Sequence, residues 1–90
     1  MVKLPKKLII NVTAKNIKNG AYGLSSKCPV ALAFKDQKYS NVVVGPYVVT
    51  ILHKHKIIYY KISDKVRNFI CDFDCRKSVK PFRFTAKLYE

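Results

Sequence analysis

The sequence predicts a small α+β domain in which a mostly antiparallel sheet has its helices packed on one face. Ninety residues, of which 49% are apolar, suffice for one core, so we expect a single domain over residues 1–90. Short β-branched and aromatic segments recur along the chain, and two of them flank a short polar turn, as in an antiparallel hairpin. Between the strands lie segments with helical periodicity, and the predicted order is β-α-α-β-β-β-α-β.

The first half of the chain contains one predicted strand and two predicted helices. Residues 8–13 are rich in β-branched side chains and form the strand. Thr13 is a suitable N-cap for a short helix over residues 14–19, and we expect Gly20 to end that helix in a left-handed conformation. A second helix over residues 28–34 has a proline in its first turn and almost no polar face, which predicts that it is buried.

The second half of the chain contains four predicted strands and one helix. Residues 41–44, 47–52 and 57–62 are strands, and the last two form the hairpin. Because residues 47–52 are apolar on both faces, we expect a central strand that is covered at least partly on each side. Ser63 caps a third helix, whose apolar stripe consists of Val66, Phe69, Ile70 and Phe73. Residues 82–89 alternate between apolar and polar side chains, which predicts a half-exposed final strand.

Charge is the most unusual property of the chain. It has 18 Lys and Arg residues against five Asp and Glu residues, a formal net charge of +13. Such a charge repels itself and lowers the stability of a compact domain, so we expect an anionic partner such as nucleic acid, a nucleotide or an acidic protein. No apolar run approaches the about 20 residues of a membrane span, and we predict no membrane partner. The apolar run after Lys7 is too short for a signal-peptide core, so we expect the protein to stay in a cytoplasm.

The sequence offers little from which an enzyme could be built. Its carboxylates are few, and Asp72 and Asp74 are two residues apart, so on a helix they point in different directions. Its glycines are isolated and form no phosphate-binding motif. Cys28, Cys71 and Cys75 lack the spacing of a zinc site and are expected to be reduced packing residues. We therefore predict that the protein is not an enzyme and binds no metal or cofactor.

Two groups of residues are candidates for binding a phosphate-bearing ligand. The first lies on the outward faces of the last two strands, where aromatic rings between cations suit base stacking and phosphate contact: Tyr59, Lys61, Arg83, Lys87 and Tyr89. The second lies in the loop after the third helix and consists of Arg76, Lys77 and Lys80. Arg76 can hold a phosphate with two parallel hydrogen bonds. On sequence alone, an ordinary solvated sheet face explains the first group equally well.

Several sequence blocks stand out together along nearly the whole chain. They are Ile10-Asn11-Val12-Thr13, Cys28-Pro29-Val30-Ala31-Leu32-Ala33 and the ending Phe73-Asp74…Val79-x-Pro81-Phe82-x-Phe84. In this order, the blocks resemble a group of small proteins of unknown function that are encoded by bacteriophages. A glycine commonly stands near the position of Arg76 in that group, so the loop after Asp74 differs here. The resemblance implies a phage accessory protein in the cytoplasm of an infected bacterium, and it supplies no activity and no functional residues.

Charge and resemblance together predict a binding protein that serves host takeover or counter-defence. Its phosphate-bearing partner is either a nucleic acid, which requires an extended basic strip, or a sequestered nucleotide signal, which requires a pocket. Two alternatives stay open. One is an inhibitor that docks its positive face on an acidic surface of a host enzyme, and the other is a minor virion or DNA-packaging component. A homo-oligomer also stays open.

Overall fold

A computed structural model of the chain describes residues 5–89, which form one five-stranded sheet and three helices. The strands are Lys7–Val12 (β1), Val42–Val44 (β2), Val48–His53 (β3), Lys56–Lys61 (β4) and Phe82–Leu88 (β5). The helices are Ala14–Asn19 (α1), Pro29–Asp36 (α2) and Asp64–Asp74 (α3). The predicted α+β class and the element order β-α-α-β-β-β-α-β are confirmed, with boundaries that differ by one or two residues.

All neighbouring strands of the sheet are antiparallel, in the order β1-β5-β4-β3-β2. β3 and β4 form a hairpin, and its turn residues Lys54 and His55 have φ values of 49° and 66°. Two left-handed residues give the turn whose twist matches that of the flanking strands. The last strand, β5, pairs with β1 on one side and with β4 on the other. The topology therefore places β4 and β5 in the interior of the sheet.

The core lies between the helices and one face of the sheet. Strands β1 and β5 bury alternate residues, as their sequences predict. Phe34 of α2 and Tyr60 of β4 are both fully buried, with ring centroids 6.5 Å apart. The ring centroids of Phe84 of β5 and Phe34 are 6.2 Å apart. The ring of Phe69 of α3 packs against that of Phe82, with centroids 4.6 Å apart, so α3 covers the beginning of β5.

The N-terminal cap of α1 is confirmed, whereas the predicted conformation of Gly20 is wrong. The side chains of Thr13 and Asn16 each accept a hydrogen bond from the other's backbone N–H, which is a capping box. Gly20 has φ −70° and ψ 150°, an extended conformation rather than a left-handed one. Glycine is needed there because a Cβ atom would lie 2.7 Å from the ring of Pro29. The predicted partial cover of β3 on each side is confirmed: it is an interior strand, and on its outward face Val48 and Thr50 are half-buried while Leu52 is 44% exposed.

Candidate functional site

The face of the sheet away from the core presents its side chains in rows that cross the strands. Direct partners on neighbouring strands point to the same side, and residues two positions further along form the next row. Leu52, Ile57, Tyr59 and Tyr89 lie on this outward face and are among the most exposed large apolar side chains of the chain. The outward face is thus accessible to a partner over β3, β4 and the end of β5.

One of these rows contains three lysines on adjacent strands, which we call the lysine row, and Val48 of β3 continues it as the other register partner of Lys61. Lys61 of β4 is the register partner of Lys87 of β5, and Lys87 is the register partner of Lys7 of β1. All three residues are exposed. Direct partners in an antiparallel pair have Cβ atoms about 4.5–5.5 Å apart, and like-charged side chains directly opposite each other destabilise a sheet. The lysine row therefore concentrates positive charge at the expense of the fold's own stability.

No carboxylate offsets the lysine row within residues 5–89. The aspartates in this part of the chain all lie in helices: Asp36 in α2, and Asp64, Asp72 and Asp74 in α3. The lysines of the row also take no part in the ion pairs found among these residues. Within the described residues, the charge of the row is left to be neutralised by solvent ions or by a bound anion.

Two tyrosines lie beside the lysine row, and we call them the tyrosine pair. The N–H of Tyr89 donates to the carbonyl of Tyr59 over 2.8 Å, which places the two residues opposite each other where the β4–β5 pairing ends. Thr50 of β3 continues this row as the register partner of Tyr59. Nζ of Lys61 lies 4.9 Å from the centroid of the Tyr89 ring, a cation–π contact that connects the two rows. The rows are two residues apart, or about 6.6 Å along the strand.

The structure brings together most of the predicted strand group. Tyr59, Lys61, Lys87 and Tyr89 occupy two adjacent rows, as the alternation of β4 and β5 predicted. Arg83 faces the same side, but its register partner is Asn11 of β1. It stands four residues from Lys87 along β5, about 13 Å away, and is therefore separate from the lysine row.

The predicted loop group does not join this surface. The guanidinium of Arg76 lies 4.9 Å from the ring centroid of Tyr22, which stacks on Phe73 of α3. Nζ of Lys77 lies 3.8 Å from the carboxylate of Asp72, also in α3. Lys80 borders a shallow groove together with side chains of α3. Arg76, Lys77 and Lys80 thus belong to the helix side of the domain, and two of them already have partners there.

Lys7 is the member of the site that the predicted strand group does not include. In the sequence it belongs to a basic run before the first strand, and nothing local distinguishes it from a solvated end. It enters the lysine row because β1 pairs with β5, a contact between residues 80 positions apart: Lys7 and Lys87. Alternation along β1 indicates only that Lys7 faces outward, opposite to the buried Leu8 and Ile10.

The thiols show no sign of a reactive or metal-binding centre in the described part of the chain. No cluster of three or more His, Cys, Asp or Glu residues is present among residues 5–89. Cys28 is buried, and burial raises the pKa of its thiol. Cys71 and Cys75 are exposed at the end of α3, and the proximity of Cys75 raises the pKa of Cys71. A raised pKa lowers the fraction of the nucleophilic thiolate at neutral pH.

Comparison of the chain with protein-family models, with curated proteins and with solved structures finds no match. Among residues 5–89, no helix has both the length and the apolar character needed to cross a membrane.

Proposed function

We propose that the protein is a binding protein that holds nucleic acid on the outward face of its sheet. The observation that carries this proposal is the lysine row, in which Lys61, Lys87 and Lys7 are direct partners on three adjacent strands. Repulsion between the lysines lowers the stability of the free protein. The phosphates of a nucleic acid laid across the row attract the ammonium groups on either side of them and so offset that repulsion. Release of the counterions condensed on the nucleic acid adds to the affinity.

The arrangement favours an extended polyanion over a single small anion. With strands about 4.8 Å apart, the backbones of Lys61 and Lys7 are separated by about 10 Å, with Lys87 between them. A chain with a phosphate at each nucleotide can contact all three ammonium groups at once. A mononucleotide that relies on its phosphate reaches fewer of them, and the outward face is a surface rather than an enclosed pocket. Nucleic acid is thus favoured over a sequestered nucleotide signal.

The biological setting that we propose follows from the sequence resemblance. A phage accessory protein in the cytoplasm of an infected bacterium has access to phage and host nucleic acids, and binding either could serve host takeover or counter-defence. No catalytic group is required for such a role, since the affinity comes from charge and stacking.

One observation favours a second candidate function, the inhibition of a host enzyme with an acidic surface. Leu52 and Ile57 are register partners on the outward face, and both are exposed beside Tyr59. Apolar and aromatic side chains bordered by charges are typical of the centre and rim of protein–protein interfaces. In that case the lysines would pair with carboxylates of the partner instead of phosphates.

A charge-matched pair of variants tests the proposal. The row variant combines Lys7→Gln, Lys61→Gln and Lys87→Gln, and the control combines Lys15→Gln, Lys18→Gln and Lys27→Gln. The control residues are exposed and lie in α1 and in the loop after it, so both variants lose the same net charge. Binding of a labelled oligonucleotide is measured by anisotropy from about 50 to 200 mM salt, a range over which phosphate contacts lose affinity steeply.

We expect the row variant to bind at least about ten-fold more weakly than the control, with a salt slope lower by about 2, since three phosphate contacts are lost. Equal losses in both variants would mean that net charge alone attracts the nucleic acid and that the lysine row is not a site. If the unmodified protein binds no oligonucleotide at about 50 mM salt, the proposal is wrong and the inhibitor becomes the leading function.

A further inference from the structure

We infer that the nucleic acid on this face is single-stranded, with its phosphates on the lysine row and its bases stacked on Tyr59 and Tyr89. This inference rests on the proposed function and adds to it the class of nucleic acid and the way in which that strand lies. It follows from three features of the outward face: the tyrosine pair, the spacing of the rows, and the position of the strands within the sheet.

The tyrosine pair offers two aromatic side chains where the strand β4 meets the end of β5. Tyr59 and Tyr89 are 42% and 56% exposed, so both side chains are accessible to a ligand. A base has a flat face whatever its identity, so stacking on tyrosine requires no particular sequence. The bases of a duplex are already stacked on one another, and only an unpaired strand can present them to the tyrosine pair.

The spacing of the rows matches the shape of a nucleotide. The lysine row and the tyrosine pair are about 6.6 Å apart along the strands, a distance that a sugar can bridge between its phosphate and its base. The cation–π contact places Nζ of Lys61 4.9 Å from the ring centroid of Tyr89. A base stacked on the free side of that ring therefore has its own phosphate within reach of Lys61.

The position of the rows within the sheet argues against a duplex. β4 and β5 are interior strands, with β3 and β1 on either side. The major groove of B-form DNA is about 12 Å wide and admits a helix or a two-stranded ribbon, but a five-stranded sheet presented face-on is too broad. An open sheet face with aromatic residues suits an unpaired strand that lies across it.

The contacts define a small site. Three lysines and two tyrosines provide for about three phosphates and two bases, so a strand of about four nucleotides fills both rows. At about 0.7 per phosphate on single strands, the contribution of the lysine row to the salt slope is about 2. Longer strands then gain affinity mainly from additional copies of the protein and from the general positive field.

The test compares Tyr59→Leu and Tyr89→Leu with Tyr47→Leu as a matched control. Tyr47 lies in the turn before β3 and is 67% exposed, and its ring is 4.9 Å from the guanidinium of Arg67 in α3, on the helix side of the sheet rather than in either row. Leucine keeps apolar volume and removes the ring. Each variant is titrated with a short single-stranded oligonucleotide, with a duplex of the same strand, and with an abasic strand of the same length and charge.

We expect each of the two site variants to weaken binding of the normal single strand by at least about five-fold, the lower range of stacking on an aromatic side chain. Binding of the abasic strand should change by less than two-fold, because no base is present to lose its stacking. The control should leave binding of all three ligands unchanged. The unmodified protein should prefer the single strand over the duplex, and quenching of tyrosine fluorescence should accompany binding.

The outcomes separate this inference from the proposed function. If both tyrosine variants bind single strand and duplex as well as the unmodified protein does, while the lysine row variant still loses affinity, phosphate binding stands and the single-strand inference is overturned. If the tyrosine variants also weaken binding of the abasic strand, the rings act through the structure of the site rather than by stacking, which overturns the inference as well. If the lysine row variant binds normally, the proposed function itself fails.

Discussion

The substitution Lys87→Glu should stabilise the folded protein while it weakens binding, because Lys87 is the middle residue of the lysine row. Its register partners are Lys61 on one side and Lys7 on the other. One substitution therefore replaces two like-charge pairs with two opposite-charge pairs. Cross-strand pairs are each worth about 0.2–1 kcal/mol, so the free energy of unfolding should rise by about 1 kcal/mol. For a domain of this size, that corresponds to an increase in Tm of about 4–8 °C.

Thermal unfolding by circular dichroism at low and high salt measures this effect. The control is Lys27→Glu, which changes the net charge equally but lies exposed in the loop before α2. At about 1 M salt, where the screening length is about 3 Å, the advantage of Lys87→Glu over the control should largely disappear. If Lys87→Glu is no more stable than Lys27→Glu at low salt, the three lysines are not direct neighbours and the reasoning is refuted. An advantage that persists at about 1 M salt would show that its origin is not electrostatic.

Three further predictions concern the core and the titratable side chains. Phe34→Ala should lower the free energy of unfolding by about 3–5 kcal/mol in chemical denaturation, since Phe34 is fully buried, and a loss below about 1 kcal/mol would contradict its place in the core. Burial raises the pKa of Tyr60 to about 12, so its contribution to stability is complete below its unfolded pKa of about 10 and is lost as the pH rises towards 12. The Tyr60→Phe variant should therefore lose less stability than the unmodified protein between about pH 10 and 12, as measured by chemical unfolding at each pH. Equal losses in the two proteins would contradict the raised pKa of Tyr60. A thiol reagent should label Cys71 and Cys75 in the folded protein but Cys28 only after unfolding, and mass spectrometry that finds three labels on the folded chain would contradict the burial of Cys28.

Much of the fold could be predicted because its determinants are local. The apolar stripe of α3, the capping residue Thr13 and the alternation along β5 each lie within one element, and each prediction agrees with the structure. Gly20 shows where local reasoning fails. A glycine after a helix usually indicates a left-handed residue, but here the glycine leaves room for the ring of Pro29, which belongs to the next helix.

The candidate site could be predicted only in part for the same reason. Alternation predicts that Tyr59, Lys61, Lys87 and Tyr89 face outward, and it says nothing about which strands are neighbours. That β5 lies between β1 and β4 is a property of the whole sheet, and it decides that Lys7 completes the row. The predicted strand group also included Arg83 because that residue faces outward. Arg83 is on the correct face but lies too far along β5 to act with Lys87.

Mapping of backbone amide shifts, when a short single-stranded oligonucleotide is added to the isotope-labelled protein, locates the bound nucleic acid directly. We expect the largest shifts at Lys7, Tyr59, Lys61, Lys87 and Tyr89, with little change in α1 and in the loop after α3. Shifts that are concentrated around Arg76, Lys77 and Lys80, or spread evenly over all the basic residues, would contradict the claim that the outward face of the sheet binds nucleic acid.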